Sequence, residues 1–249
     1  MYGIGIDVGS TFTKYCVLNA KGQIIKLFME QTPVRQQAFF ENKLPLFYAD
    51  YPDCKIVTCG YGRKNISYNH SITELTALAA GAAYQCSQAE YVLDIGGQDT
   101  KLIRQQDGKL KSFFVNEKCA AGCGMFLKNV LNMLQMDFAD IDLREAAQRE
   151  IKLSSVCAVF AQSEIVELIA AGAESGDIVR SVLAHIMTQA KTLLNKQDCP
   201  EVLLSGGLTA VEGIAEFAAS ILQRSILLPK NGAYLSAIGC ALSALQVQE

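Results

Sequence analysis

Two turns in the sequence carry similar polar side chains in a similar order. The first, "DVGSTFTK", begins at Asp7, and the second, "DIGGQDTK", begins at Asp94. Each aspartate ends an apolar, strand-like run, and small or polar residues then lead to a lysine. Glycines let backbone N–H groups approach an anion, hydroxyls add donors, and lysine adds a positive charge. A carboxylate at a strand end suits magnesium, which keeps several of its waters. The two turns therefore predict a site for phosphate and magnesium.

A third turn, in "LLSGGLTA", adds a Gly-Gly pair after another strand-like run. The predicted catalytic residues are Asp7 and Asp94, which would hold magnesium, and Gln98, which would orient the attacking water. Asp99 fits the water-orienting role as well as Gln98 does. The predicted nucleotide and phosphate contacts are Gly9, Ser10, Thr11, Phe12, Thr13, Lys14, Gly96, Gly97, Gln98, Gly206 and Gly207. One such turn is common in β-hairpins, but three in one chain favour a nucleotide site.

Two cysteines stand just before apolar stretches of helical periodicity. Cys119 lies in "NEKCAAGCGMFLKNVLNML" and Cys157 in "SSVCAVFAQSEIVELIAAG". Free N–H groups at a helix N-terminus favour the thiolate, which is the form that iron and zinc bind. A 4Fe–4S cluster takes four ligands, so two cysteines per chain would require a two-fold dimer. From the residues alone, a buried structural role stays open for both cysteines, because CxxxC is not diagnostic of a metal site.

The elements that would position these residues repeat along the chain. A strand, the first turn and a hairpin at Lys21-Gly22 are followed later by a near copy with its hairpin at Asp107-Gly108. Two such βββαβα units packed side by side would create a cleft between their facing turns. The predicted fold is α/β with domains 1–88 and 89–235, and a terminal helical segment, 236–249, that returns to the first domain. Helices are predicted over 72–86, 126–134, 177–195 and 236–247.

Composition narrows the function classes. The chain has 249 residues, enough for two modest domains, and a formal net charge of −3, which gives no general attraction to nucleic acid or anionic lipid. Apolar runs are too short to cross a bilayer, and no secretory signal opens the sequence. The nine cysteines are scattered rather than framed as disulfides, which favours a reducing compartment. We therefore expect a cytoplasmic protein without nucleic-acid or membrane partners.

The order of the turns resembles the ATPase superfamily that includes acetate and sugar kinases, actin and the heat-shock chaperone ATPases. Neither a Walker A nor a dinucleotide G-x-G-x-x-G pattern is present. Within the superfamily the chain is similar to the activators of 2-hydroxyacyl-CoA dehydratases and the ATPase subunits of benzoyl-CoA reductases, the BadF/BadG/BcrA/BcrD type. The similarity runs through "GIDVGST", "GYGR", "DIGGQD", "KCAAG", "SSVCAVFAQSE" and "SGG". It implies two RNase H-like, actin-like ATPase domains with a nucleotide cleft between them.

The resemblance also implies a function. It assigns ATP or ADP and Mg²⁺ to the turns, and one 4Fe–4S cluster per homodimer to Cys119 and Cys157. The implied activity is ATP-driven transfer of one low-potential electron from ferredoxin or flavodoxin. The implied acceptor is a 2-hydroxyacyl-CoA dehydratase, a benzoyl-CoA reductase or a double-cubane cluster protein. The alternatives are a metal-free small-molecule kinase and a nucleotide-dependent regulatory module, in which the cysteines are structural.

The sequence departs from the family pattern at five positions. Cys123 stands where threonine is usual, Met125 where a basic residue is usual, and Gln162 where an acidic residue is usual. Ala210 and Val211 replace polar residues. We interpret Cys123 as a neighbour of the cluster or a spectator rather than as a ligand. The two phosphate turns are intact.

Overall fold

The computed structural model describes residues 1–66, 70–116, 122–145, 147–154 and 157–247. The elements of the first part are β1 (Tyr2–Val8), β2 (Phe12–Asn19), β3 (Ile24–Gln31), α1 (Gln36–Asp50), β4 (Cys54–Cys59) and α2 (Glu74–Gln85). The elements of the second part are β5 (Tyr91–Ile95), β6 (Thr100–Gln106), β7 (Lys109–Asn116), α3 (Gly124–Leu134), α4 (Ala158–Ala170), α5 (Ser175–Leu194), β8 (Glu201–Gly206), α6 (Ile214–Leu222), β9 (Ser225–Leu227) and α7 (Leu235–Leu245).

The chain divides into two compact units. The first unit comprises Met1–Glu90, Ile103–Ser112 and Tyr234–Glu249, and the second comprises Tyr91–Leu102 and Phe113–Ala233. Each unit has its own hydrophobic core. The tip of the β6–β7 hairpin and helix α7 are thus grouped with the N-terminal residues.

The first unit is built on a four-stranded sheet in the order β3-β2-β1-β4. Strand β1 pairs antiparallel with β2 and parallel with β4. Side chains alternate between the faces of a strand, so Ile4 and Ile6 of β1 enter one core with Phe40 and Phe47 of α1. Asp7 belongs to the opposite face. That face carries the first candidate carboxylate.

Helix α7 covers the face of β1 to which Asp7 belongs, α2 packs against α7, and glycines allow both close approaches. A Cβ on Gly5 of β1 would overlap the carbonyl oxygen of Ala237 in α7. A Cβ on Gly239 of α7 would overlap the carbonyl oxygen of Ala77 in α2. Only glycine allows these backbones to approach so closely. The C-terminal helix is therefore an integral layer of the first unit.

The second sheet has the order β7-β6-β5-β8-β9. Strand β5 pairs parallel with β8, and β8 pairs parallel with β9. The core of the second unit combines β5 and β8 with apolar faces of α3, α4, α5 and α6. Parallel strands buried by helices carry nearly continuous apolar runs, as "YVLDI" and "EVLLSG" do.

Several local predictions are confirmed. Gly22 and Gly108 both have positive φ at the predicted hairpin turns, +74° and +73°. Helix α2 begins after Thr73, whose hydroxyl accepts from the Thr76 N–H. Helix α3 begins at Gly124, two residues before the predicted start. Among the described residues, no helix is long and apolar enough to span a membrane.

Candidate functional site

The carboxylate of the first turn is held from both neighbouring strands. Asp7, near the end of β1, is 4% exposed and lies in register with Lys14 on β2 and Cys59 on β4. Lys14 Nζ lies 3.7 Å from Asp7 Oδ2, and Cys59 Sγ donates to Oδ1 at 3.5 Å. Burial raises the pKa of the Cys59 thiol well above its usual range, and contact with Cys240 raises it further. The thiol is therefore a protonated donor beside the carboxylate.

The loop after Asp7 carries a hydroxyl that lacks a protein partner. Thr11 Oγ1 is buried and has no hydrogen-bond partner within the part of the chain that the structure describes. Thr32 fixes the loop, because its hydroxyl donates to the Gly9 carbonyl at 2.8 Å and its N–H donates to the Thr11 carbonyl at 3.0 Å. A buried, unpaired hydroxyl is costly unless a ligand satisfies it. This loop fits the phosphate that the sequence predicts for it.

The "GYGR" segment closes over the end of β1. Gly60 has φ +87°, and a Cβ there would lie 2.8 Å from Asp7 Oδ1. The Gly62 N–H donates to the Val8 carbonyl at 3.1 Å, and Arg63 Nη1 donates to the Gly60 carbonyl at 2.9 Å. Arg63 thus stabilises this turn from within. The backbone of this motif therefore covers the end of the strand that carries Asp7.

The carboxylate of the second turn has a matching arrangement. Asp94, near the end of β5, is 8% exposed and lies in register with Ser205 on β8. Ser205 Oγ donates to Asp94 Oδ1 at 2.7 Å, and Lys101 Nζ lies 3.7 Å from Oδ2. Lys101 also contacts Asp99 Oδ1 at 2.5 Å. Lys101 is more enclosed than its counterpart Lys14, with a side chain 6% rather than 23% exposed.

The second turn is tied to the start of α3. The N–H groups of Gly124 and Met125 donate to the carbonyls of Gly96 and Gly97, both at 2.8 Å. Thr100 Oγ1 donates to the Gly122 carbonyl at 2.6 Å. The first amides of a helix have no partner inside it, and here the turn supplies that partner. Movement of this turn would therefore move the N-terminus of α3.

The third turn, at the end of β8, lies beside β5, the strand that precedes the second turn. Gly206 has φ +100°, and a Cβ there would overlap the carbonyl oxygen of Ile95 in β5. A Cβ on Gly207 would meet no described atom within 4 Å. The structure thus places Gly206 and Gly207 with Asp94, Gly96, Gly97 and the exposed Gln98 in the second unit. The first unit contains Asp7, Gly9, Thr11, buried Thr13, Lys14, and the exposed Ser10 and Phe12.

The predicted metal-ligating cysteines are only partly covered by the structure. Cys119 lies outside the described residues. Cys157 is exposed, and as the N-cap of α4 it lies at a helix N-terminus, which was predicted. Cys123 is the N-cap of α3 and is 1% exposed. Among the described residues, no group of three or more His, Cys, Asp or Glu side chains is arranged to hold a metal ion.

Sequence reasoning missed two functional candidates, Cys59 and Ser205, and noted Lys101 only as the lysine that ends the second turn. Lys101 was recognisable, because it follows Asp94 at the same spacing at which Lys14 follows Asp7. Cys59 and Ser205 both lie at the ends of apolar strands, but their contact with the aspartates depends on parallel pairing between distant segments. No local pattern encodes that pairing.

The chain is similar in sequence to proteins of one ATPase family. The sequence profile described as the BadF/BadG/BcrA/BcrD ATPase family matches residues 4–244. The activator of lactoyl-CoA dehydratase from Anaerotignum propionicum is 31% identical over 100% of this chain and 99% of its own length.

Two solved structures share the fold. One is the activator of the 2-hydroxyisocaproyl-CoA dehydratase from Clostridium difficile with bound ADPNP, with a TM-score of 0.86 and 29% identity over 99% of this chain and 95% of that chain. The other is component A of the Acidaminococcus fermentans (R)-2-hydroxyglutaryl-CoA dehydratase, with a TM-score of 0.88 and 27% identity over 99% of this chain and 98% of that chain. The predicted α/β, actin-like ATPase fold is confirmed.

Proposed function

The chain belongs to the BadF/BadG/BcrA/BcrD ATPase family, and on that premise we propose that it is an ATP-dependent one-electron donor that activates a partner enzyme. The observation that carries the proposal is the pair of buried aspartates with matching lysine contacts, Asp7 with Lys14 and Asp94 with Lys101. Relatives of similar length are named as dehydratase activators, and one related structure holds ADPNP.

In this proposal ATP and Mg²⁺ bind at the turns. Asp7 and Asp94 would hold magnesium, because both are carboxylates buried near strand ends beside a turn that fits phosphate. Phosphate oxygens would be bound by the Thr11 hydroxyl, which has no partner among the described residues, by amides of the turns and by Lys14. Gly206 and Gly207 form the adenosine side of the site. The residues present therefore fit Mg-ATP.

Between the two candidates for orienting the attacking water, the geometry favours Gln98. Asp99 is 5% exposed and is paired with Lys101 at 2.5 Å, which occupies one of its oxygens. Gln98 is exposed at the tip of the same turn. An amide at that position can accept from and donate to a water that attacks the terminal phosphate. We therefore assign the orientation of the attacking water to Gln98. The buried Asp99–Lys101 ion pair would stabilise the turn.

The tie between the second turn and α3 supplies a route from nucleotide to cysteine. Gly96 and Gly97 accept from the first amides of α3, so a change in the turn on hydrolysis is transmitted to that helix. Cys119 precedes α3 by a few residues in the sequence. The departure at Met125 does not remove this link, because Met125 takes part through its backbone.

Cys119 and Cys157 would hold one 4Fe–4S cluster together with the same residues of a second copy, and that cluster supplies one-electron storage at low potential when bound. Cys157 fits this role, because its side chain is exposed at the N-terminus of α4, where a second copy of the chain can reach it. Helix α4 also exposes apolar side chains of the kind found in interfaces. They are Val159, Phe160, Val166 and Ile169.

The proposed electron donor is ferredoxin or flavodoxin. The proposed acceptor is a CoA-ester dehydratase or reductase or a related iron-sulfur enzyme. Two relatives are named as activators of lactoyl-CoA and 2-hydroxyisocaproyl-CoA dehydratases, and another, from Thauera aromatica, is named as part of a benzoyl-CoA reductase. The proposed location is the cytoplasm.

Anaerobic purification followed by iron, sulfide and ATPase assays tests the function. We expect a coloured protein with about four irons and four sulfides per dimer and a magnesium-dependent ATPase. Asp7→Asn and Asp94→Asn should each abolish hydrolysis without loss of iron, while Asp198→Asn is the control for a substitution away from the turns. An iron-free protein with intact ATPase would instead support a kinase or regulatory module.

A further inference from the structure

The two aspartates share an arrangement that goes beyond the repeated sequence motif. Each lies in register with a side chain on the neighbouring parallel strand, Asp7 with Cys59 and Asp94 with Ser205. Side chains in register on adjacent strands extend from the same face of the sheet and contact each other. The sequence motif contains the lysines but neither of these partners.

In both units the two carboxylate oxygens have separate neighbours. Oδ1 accepts from the partner on the parallel strand, at 3.5 Å from Cys59 Sγ and at 2.7 Å from Ser205 Oγ. Oδ2 lies 3.7 Å from the lysine Nζ in both units. Two constraints at different oxygens fix the plane of a carboxylate, which one ion pair alone does not.

We propose that Cys59 and Ser205 are positioning residues that orient the carboxylates of Asp7 and Asp94 for the magnesium ion that these aspartates would hold. The inference rests on the proposed function, because the aspartates need this orientation only if they act on Mg-ATP. Cys59 and Ser205 contact no substrate themselves. They set the geometry of the groups that do.

Both donors are buried, which leaves their protons available to the aspartates. Cys59 and Ser205 are 0% and 2% exposed, so no bulk water competes for their protons. Ser205 Oγ also lies 3.2 Å from the Gly232 carbonyl, but the contact with the charged Asp94 is shorter and stronger. A thiol is a weaker donor than a hydroxyl, so Asp7 is held less firmly than Asp94.

Substitutions at Ser205 test the stronger of the two contacts. Ser205→Ala should raise the magnesium concentration for half-maximal ATPase about tenfold and lower kcat, as outer partners of metal ligands commonly do. Ser205→Thr keeps the hydroxyl and should restore most of the activity. Ser181→Ala is the matched control, because it removes a buried hydroxyl of the same unit that donates only to the Ile178 carbonyl.

Cys59 is tested in the same way in the first unit. Cys59→Ala should raise the magnesium concentration for half-maximal ATPase by less than Ser205→Ala does. Cys59→Ser should retain activity because it keeps a donor. Cys54→Ala is the control, because Cys54 is a buried thiol of that unit that lies 4.0 Å from a backbone carbonyl and away from Asp7.

Crystal structures of wild type, Ser205→Ala and Ser181→Ala without nucleotide give a readout independent of hydrolysis. We expect Asp94 to adopt a rotated or divided carboxylate orientation in Ser205→Ala alone. If wild type lacks ATPase activity, the proposed function fails, and this structural comparison still decides the role of Ser205. An unchanged Asp94 in Ser205→Ala, or a magnesium dependence equal to that of Ser181→Ala, overturns the inference.

Discussion

The two described cysteines that lie at helix N-termini, Cys157 and Cys123, differ in exposure. Cys157 is exposed at the N-terminus of α4, whereas Cys123 is buried at the N-terminus of α3. Both cysteines are helix N-caps, so a place at a helix terminus alone does not separate a ligand from a neighbour. Access to a second copy of the chain does, because a shared cluster needs thiolates at the surface. This favours Cys157 as a ligand and Cys123 as a packing residue.

We therefore predict different outcomes for three cysteine variants. Cys119→Ser and Cys157→Ser should each destroy the assembled cluster, because one substitution removes two of four thiolates in a symmetric dimer. Cys123→Thr should keep its iron and its ATPase activity. Iron analysis and reduced-state spectra of anaerobically prepared protein measure these effects. Loss of iron in Cys123→Thr with retention in Cys119→Ser would reverse the assignment.

His185 on α5 is predicted to make the second unit sensitive to acid. Its Nε2 is buried without a hydrogen-bond partner among the described residues, and its ring meets Phe126 edge-on. Burial lowers the pKa of His185, while Glu164 opposes that shift. The unfolded chain thus binds this proton first as the pH falls below about 6.5, and the free energy of unfolding decreases there until the folded-state pKa is passed.

His185→Gln should remove that contribution. Urea unfolding of the variant at pH 7.5 and pH 5.5 should show a smaller loss of stability on acidification than wild type shows. His70→Gln is the control, because His70 is exposed and lies in the first unit. Equal acid sensitivity in wild type and His185→Gln would contradict the prediction.

At the scale of elements, close helix crossings in the first unit depend on glycine. Gly239→Ala would place a methyl group against the Ala77 carbonyl of α2 and force α7 away. We expect the free energy of unfolding to fall by about 1–3 kcal/mol, the usual cost of overpacking. Gly176→Ala, on α5 with no described atom within 4 Å of its added Cβ, should be neutral or stabilise by up to ~1 kcal/mol. Denaturant unfolding of both variants provides the measurement.

The elements also show which parts of the fold the sequence encodes locally. The hairpins at Gly22 and Gly108 and the periodic helices were predictable, because turn chemistry and periodicity act over a few residues. The packing of α7 against β1 in particular was not predicted, because the prediction named only the return of segment 236–249 to the first domain. Its physical signal, glycines at Gly5 and Gly239 in otherwise apolar elements, is visible only once the partners are known.

The candidate site likewise contains residues that the sequence reveals locally and residues that it does not. The glycines of both turns, and the hydroxyls and Lys14 of the first, could be predicted as contacts because they are contiguous in "DVGSTFTK" and "DIGGQDTK". The donors to the aspartates were not found, because Ser205 is distant from Asp94 in sequence and reaches it only through parallel strand pairing. The tie from Gly96 to the start of α3 is likewise a backbone contact that side-chain patterns do not reveal.

For the whole molecule, the proposed function requires a second copy, because each chain offers only two candidate cluster ligands. The exposed apolar side chains of α4 begin two residues after Cys157, so an interface on this helix would lie close to the ligand in the sequence. Burial of apolar area and ligation of a common cluster would then stabilise one dimer jointly. Removal of iron should weaken the dimer, and disruption of the interface should release iron.

Val166→Glu tests this coupling without touching a ligand. Val166 is 54% exposed on α4, so the charge should leave the folded chain intact while opposing burial against a second copy. We expect analytical ultracentrifugation under anaerobic conditions to show monomer, with iron content reduced in parallel. Leu46→Glu, on α1 of the first unit and 62% exposed, carries the same kind of substitution and should remain a dimer with full iron. A Val166→Glu monomer that retains a complete cluster would show that one chain supplies all the ligands, and the shared-ligand arrangement would be wrong.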